Sequence, residues 1–323
     1  MSSCSQYTAF KGVSQLTENN LINEVEENLK AYLDWGFLNI GGFINVNIPT
    51  SGLYGGTFHQ LKTVEVQGYR AGQVWQGPKK DWVWESGCVY NDGTNNYSPK
   101  NISGVFINSV FVPGPTGIAT TGYYINYPLG QIIFDKPLPK TTKLELNYAY
   151  RWCQVYKFSS DPYIKQLQEL AYQPSPQINQ IDKGDYNLGA NHRAQMPCII
   201  IEPASNSYSN PWQLGSDSMI VGQDFMLHVL AESASDKNRL ADIIRLQKER
   251  TLELYDLNKV VKSGVYPIDY RGSVNISGLL YDNLIKQYFW NKTYIKNVDI
   301  LNMESLNKNL YWCTIRLTSE TII

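Results

Sequence analysis

The stretch Asp224–Tyr255, DFMLHVLAESASDKNRLADIIRLQKERTLELY, decides the fold class. Its opening run, Phe225-Met226-Leu227-His228-Val229-Leu230, is apolar on both faces, which suits a central strand covered on both sides. Ser235 or Asp236 then stands where an N-cap belongs, ahead of a helix from Lys237 to about Arg250. Leu240, Ile243 and Ile244 supply the buried stripe of that helix, and Arg239, Asp242, Arg245 and Glu249 its mixed-charge outer face. Thr251–Asp256 returns as a strand. Outward from this β-α-β core, Cys198–Glu202 reads as a further strand. Tyr294–Leu301 and Leu310–Thr318 read as a closing hairpin across 302–309. Residues 196–323 are therefore expected to form an α+β domain with one helix against a sheet.

Upstream, the hydrophobic period changes twice. Residues 1–36 should hold an amphipathic helix from Glu18 to Trp35, with Thr17 as N-cap and Gly36 at its end. Ile22, Val25, Leu29, Tyr32 and Leu33 mark the apolar stripe; Glu24, Glu27 and Lys30 lie opposite. Residues 37–158 alternate with period two, as an antiparallel, jelly-roll-like β-sandwich does. Phe43–Ile48, Leu61–Val66 and Val74–Trp84 come first. A hairpin follows through Tyr123, Ile125 and Tyr127, the turn Pro128-Leu129-Gly130, and Ile132 and Phe134. A long strand then runs through Leu144, Leu146, Tyr148, Tyr150 and Trp152, leaving Glu145, Asn147, Ala149 and Arg151 on a wet or contact face. Trp75, Trp82 and Trp84 read either as core anchors or as an aromatic binding surface. Residues 159–195, rich in breakers after a short helical pattern at Pro162–Tyr172, read as a linker or arm.

The chain has 323 residues with a net charge of −1, so no global field draws it onto nucleic acid or an anionic membrane. No run of about eighteen apolar residues would span a bilayer, and Met1–Lys11 does not resemble a secretory signal. The five cysteines are widely spaced without a C-x-x-C pair, which points to buried thiols in a reducing cytoplasm. His59, His192 and His228 are scattered and lack metal-ligand spacing. No phosphate-binding glycine loop or nucleophile elbow occurs. Asp81 and Glu85 suggest a carboxylate pair of the kind glycosidases use, but four residues apart in a strand they would stand about 13 Å apart. The expectation is a non-enzymatic chain with no cofactor, no metal and no membrane partner.

The Asp224–Tyr255 stretch and the closing hairpin resemble tail terminator and related neck proteins of long-tailed bacteriophages. Tyr123–Tyr156 (YYINYPLGQIIFDKPLP…LELNYAYRWCQVY) is similar to hairpin modules of phage virion proteins. Together these stretches cover about half of the chain; the sandwich is an addition to the simplest terminators, which are single small domains. The resemblance implies a virion protein assembled in the host cytoplasm. Subunits would close a hexameric or dodecameric homo-oligomeric ring against connector, tail tube or sheath proteins, with DNA only as the passing genome. Arg239, Asp242, Arg245 and Lys248 are the candidate inter-subunit residues. Two alternatives remain. One is a carbohydrate- or receptor-binding or fibre-attachment protein using exposed Trp75, Trp82 or Trp84. The other is an enzyme, which requires a deep pocket with convergent polar groups.

Overall fold

A computed structural model describes residues 21–48, 58–85, 87–114, 122–158, 179–182, 185–187, 193–213, 218–307 and 310–323. The expected cap Thr17, the helical pattern at Pro162–Tyr172, Cys4 and His192 lie outside the described residues. Helix α1 (Leu21–Asn39) leads into strands β1 (Phe43–Val46), β2 (Gln60–Thr63), β3 (Val74–Gln76), β4 (Tyr90–Asn91) and β5 (Asn96–Tyr97). Next come β6 (Gly104–Ile107), β7 (Val110–Pro113), β8 (Tyr123–Asn126), β9 (Gln131–Phe134), β10 (Leu144–Glu145), β11 (Tyr148–Arg151) and β12 (Gln154–Lys157). Three short strands follow, β13 (Asn179–Asp182), β14 (Asp185–Asn187) and β15 (Arg193–Gln195). The remainder is β16 (Cys198–Pro211), β17 (Met219–Ala231), α2 (Ala234–Arg245), β18 (Thr251–Tyr255), α3 (Leu257–Lys262), α4 (Tyr281–Tyr288), β19 (Phe289–Asn307) and β20 (Leu310–Ile322).

The first half is a curled antiparallel arrangement. Seven strands pair in the order β7-β6-β10-β2-β3-β9-β8, and β1 pairs with β11. Their shared core contains Val46, Leu61, Trp75, Trp82, Val105, Ile125, Ile132, Leu144, Leu146 and Tyr148. The expected hairpin forms with Asn126 opposite Gln131. The single long strand expected from Leu144 to Trp152 is two strands in two sheets: β10 pairs with β2 and β6, and β11 with β1. The crossover falls at Leu146-Asn147, where the Leu146 N–H donates to His59 O at 3.0 Å and Asn147 Oδ1 accepts from the Ile48 N–H at 2.8 Å. The strand changes sheets without breaking alternation, so no sequence signal marks the corner. Its supposedly wet face is covered, with Glu145, Ala149 and Arg151 all buried. Val74–Trp84 is likewise shorter than expected: only Val74–Gln76 is strand, and Trp82 makes an isolated bridge to Tyr150.

The second half is a six-stranded sheet, β12-β16-β17-β20-β19-β18. All its pairs are antiparallel except β12 with β16. Thus Gln154–Lys157, read with the sandwich, adds an edge strand to the other sheet. Helices α1 and α2 supply Val25, Leu29, Leu33, Phe37, Leu240, Ala241 and Ile244 to one core with Ile199, Phe225, Leu227, Leu254, Ile295 and Ile315. Helix α1 therefore packs on the C-terminal sheet. It also runs past Gly36, because Phe37 and Leu38 are buried. It ends where Gly41 takes φ +84° and donates to Leu38 O at 3.1 Å. Helix α2 starts earlier than expected: Ser233 is the cap, its side chain accepting from the Asp236 N–H at 3.0 Å. The closing hairpin is longer than the apolar pattern suggested, spanning Phe289–Ile322. Within the expected arm, β13, β14 and β15 form a small antiparallel sheet.

Candidate functional site

Of the two readings of the tryptophan cluster, Trp75 and Trp82 take that of core anchors. Trp75 and Trp82 are 2% and 0% exposed, and their indole N–H groups donate to Gly72 O and Lys79 O at 2.9 and 2.8 Å. A sandwich needs large apolar anchors, and each indole finds a backbone partner inside the core. Only Trp84 stays half-buried.

The four candidate contact residues separate. Arg239, Asp242 and Arg245 lie exposed on α2, with Arg239–Asp236 and Arg245–Asp242 ion pairs at 3.7 and 3.5 Å. The Arg239 guanidinium also lies 5.9 Å from the Trp152 ring centroid. Lys248 is exposed but lies beyond the end of α2, because the helix stops at Arg245 rather than Arg250.

A different site lies between the two halves of the chain. A cavity of about 310 Å³ is bounded by α1, the segment around Asp81–Glu85, the start of β12, the end of β18, and α4. Helical spacing places Glu27, Lys30, Ala31, Asp34 and Trp35 along one side of α1 at this wall. Helix α1 thus has no freely solvated acidic face: Glu24, Glu26 and Glu27 are buried. Trp84, Tyr156, Tyr255, Tyr266 and Tyr281 provide ring surface, and exposed Pro128 lies at the margin.

Charge is concentrated here. Arg151, 4% exposed, pairs through Nη2 with Glu85 and lies 3.8 Å through Nη1 from Asp81 Oδ1. Its Nε stands 3.7 Å from Asp34 Oδ1. Lys30 closes a 2.9 Å pair with Asp34 Oδ2, while Lys157 and the Tyr266 hydroxyl both engage Glu27. Burial pushes the Asp81 and Glu85 carboxyls up, with Arg151 pulling the other way. Burial also opposes ionisation of Glu27, but Lys30 and Lys157 together hold its carboxyl below the usual range. Asp81 and Glu85 thus converge on one guanidinium, contrary to the separation expected from a regular strand. The segment is irregular, and Asp81 itself has φ +55°. That conformation is fixed by hydrogen bonds from the Asp81 N–H to Pro128 O and from the Arg151 N–H to Asp81 O, at 3.0 and 3.1 Å.

Three buried polar atoms of the lining have no hydrogen-bond partner: Asp34 Oδ1, Arg151 Nε and Gln154 Nε2. All three have essentially no accessible surface, so they are sealed within the packing around the cavity rather than open to it. Aromatic rings make up much of the cavity wall, and both carboxylates of the Asp81/Glu85 pair are engaged by Arg151. Reading sequence alone missed this site because its residues come from seven separate segments and form no motif. The signal available is an arginine on an alternating strand, at a face expected to be wet or in contact with a partner.

Elsewhere, His59 lies 3.0 Å from Glu145, and His228 lies 2.8 Å from Glu202. Among the described residues, no group of His, Cys, Asp and Glu side chains could hold a metal ion. Cys88, Cys153, Cys198 and Cys313 are buried free thiols. No helix among the described residues is long and apolar enough to cross a membrane. No family model matches this chain, and no curated protein matches it.

Proposed function

We propose that this chain is a non-catalytic structural subunit of a tailed-phage virion, forming a homo-oligomeric ring at the head–tail junction as a tail terminator or neck protein. The observation that carries the reading is the apolar surface left at the outlying ends of its elements. Trp212 beyond β16, Leu301 and Met303 on β19, and Leu246 after α2 are 48%, 51%, 46% and 77% exposed. A lone exposed apolar side chain means little, but several at the ends of long strands and a helix suit a subunit that buries them against copies of itself. The charged side of α2 supplies a polar rim to such a contact. Connector, tail tube or sheath proteins would be its neighbours, with the genome passing through the ring.

The test is the mass of the purified chain in solution, together with electron microscopy of the particles. Hexamers or dodecamers with a central opening are expected. A monomer at every concentration would remove the proposal. The receptor-binding reading loses its main support, because Trp75 and Trp82 serve the core.

A further inference from the structure

We propose that the open edge of β18, at Glu253 and Thr251, binds an extended acidic peptide segment of a partner protein, which joins the sheet as a further strand. The proposal is independent of the ring reading, since none of the exposed side chains invoked there lines this groove.

In an antiparallel pair, successive residues of a strand aim their backbone N–H and C=O alternately at the neighbour and away from it. The phase of β18 is fixed from both ends. At one end the Ile295 N–H donates to Arg250 O at 2.8 Å, so Leu252 and Leu254 are the residues turned to β19, opposite Thr293 and Asn291. At the other end the Tyr255 N–H and C=O turn outward, and Asn28 of α1 meets both. Its Oδ1 accepts from the N–H at 2.9 Å, and its Nδ2 donates to the C=O at 3.0 Å. One side-chain amide thus does for Tyr255 what the backbone of an added strand would do. Glu253 and Thr251 share this outward phase, and among the described residues nothing bonds their outward groups. Such an edge is a template for pairing unless it is blunted, and Thr251–Leu254 holds neither proline nor bulge.

These residues form one wall of a groove of about 460 Å³, whose other walls include Tyr32 and Trp35 of α1 and Tyr281, Ile285 and Lys286 of α4. Two helices beside the edge leave room for a single extended chain rather than for the edge of another copy's sheet. Charge sets the chemistry of that chain. Lys292 pairs with Glu253 at 2.9 Å and Lys286 with Asp282 at 3.3 Å. Arg250 is exposed, lies 5.5 Å from the Tyr32 ring centroid and has no carboxylate partner among the described residues. An acidic side chain on the added strand supplies that partner, while apolar side chains meet Trp35, Tyr281 and Ile285. Main-chain pairing gives the affinity and these side chains the selectivity.

The experiment titrates the full chain calorimetrically with blocked hexapeptides in which glutamate alternates with valine, leucine, phenylalanine or tyrosine, up to millimolar peptide. Saturable binding by at least one is expected. Binding should weaken when lysine replaces glutamate, and vanish when the peptide's amide nitrogens are methylated and can no longer donate to the edge. Glu253→Pro removes an outward N–H, a change that an edge strand tolerates. It should abolish binding while the circular dichroism spectrum stays that of the parent. Arg250→Glu, at an exposed position, serves should the proline variant unfold, and should weaken the acidic peptide by roughly threefold or more, the scale of an exposed ion pair. Absence of saturable binding by all four acidic peptides overturns the proposal. So does equal binding of the methylated peptide, undiminished binding by either folded variant, or a preference for the lysine peptides.

Discussion

Arg151 brings one positive charge into a region that also holds Asp34, Asp81 and Glu85, and its side chain is 5% exposed. A charge so placed contributes little over an apolar replacement of the whole group, but removing one partner leaves the others unmatched. Arg151→Met should therefore cost roughly 3–5 kcal/mol in urea unfolding, and adding Glu85→Gln should return part of it. A loss within error of zero would show that water already neutralises the cluster. Glu24 makes the opposite point, because burial raises its carboxyl from 4.5 to about 7 despite hydrogen bonds from the Leu257 and Asn258 backbones. With the folded value above the unfolded one, the native state binds the extra proton. That contribution is fully present below pH 4.5 and is lost as pH rises through about 7. Glu24→Gln lacks this dependence. Its stability relative to the wild type should rise between pH 4.5 and about 7 and then level off, as chemical denaturation across that range would reveal.

At the scale of elements, the turn of the β8–β9 hairpin is an exacting local structure. Gly130 takes φ +62°, and a Cβ there would lie 2.6 Å from Lys79 O. Gly130→Ala should cost at least roughly 1–3 kcal/mol, the penalty of the left-handed region alone, read from the midpoint of thermal or urea unfolding. Ser233→Ala, which removes the α2 cap, should cost about 1 kcal/mol; no change would mean that the Asp236 N–H finds water as readily. These elements also mark what was legible in the sequence. The hairpin, the strand-helix-strand order of 219–255 and the closing hairpin all follow local rules of alternation and helical spacing, and they are present. The misreadings share a cause: a residue's exposure depends on what tertiary structure lays over it. Glu24 and Glu27 look solvated on a helical wheel, yet Leu257, Asn258, Tyr266 and Lys157 cover and bind them. The cavity was hidden for the same reason, since Asp34, Asp81, Arg151 and Tyr281 meet only after α1 has docked on the distant sheet.

For the whole molecule, α1 and β12 tie the two halves together. The helix precedes the sandwich in the chain but lies in the core of the C-terminal sheet, and β12 leaves the sandwich to pair with β16. Arg151, in β11, binds Asp34 from α1. Neither half can unfold without exposing part of the other's core, so tryptophan fluorescence and far-ultraviolet circular dichroism should report one coincident transition. Two separated transitions would mean that the shared helix stabilises only its own sheet. Assembly should depend on a different set of residues. Leu301 and Met303 on β19 are 51% and 46% exposed, although Met303 pairs with the buried Cys313. Exchanging both for serine removes exposed apolar area that an interface would bury. If the chain assembles into the proposed ring, the double variant Leu301→Ser, Met303→Ser should keep the subunit's circular dichroism spectrum and lower the mass of the assembly. If such an assembly forms and the double variant leaves its mass unchanged, the contact lies elsewhere, and the exposed side of α2 with Arg239, Asp242 and Arg245 becomes the surface to alter next.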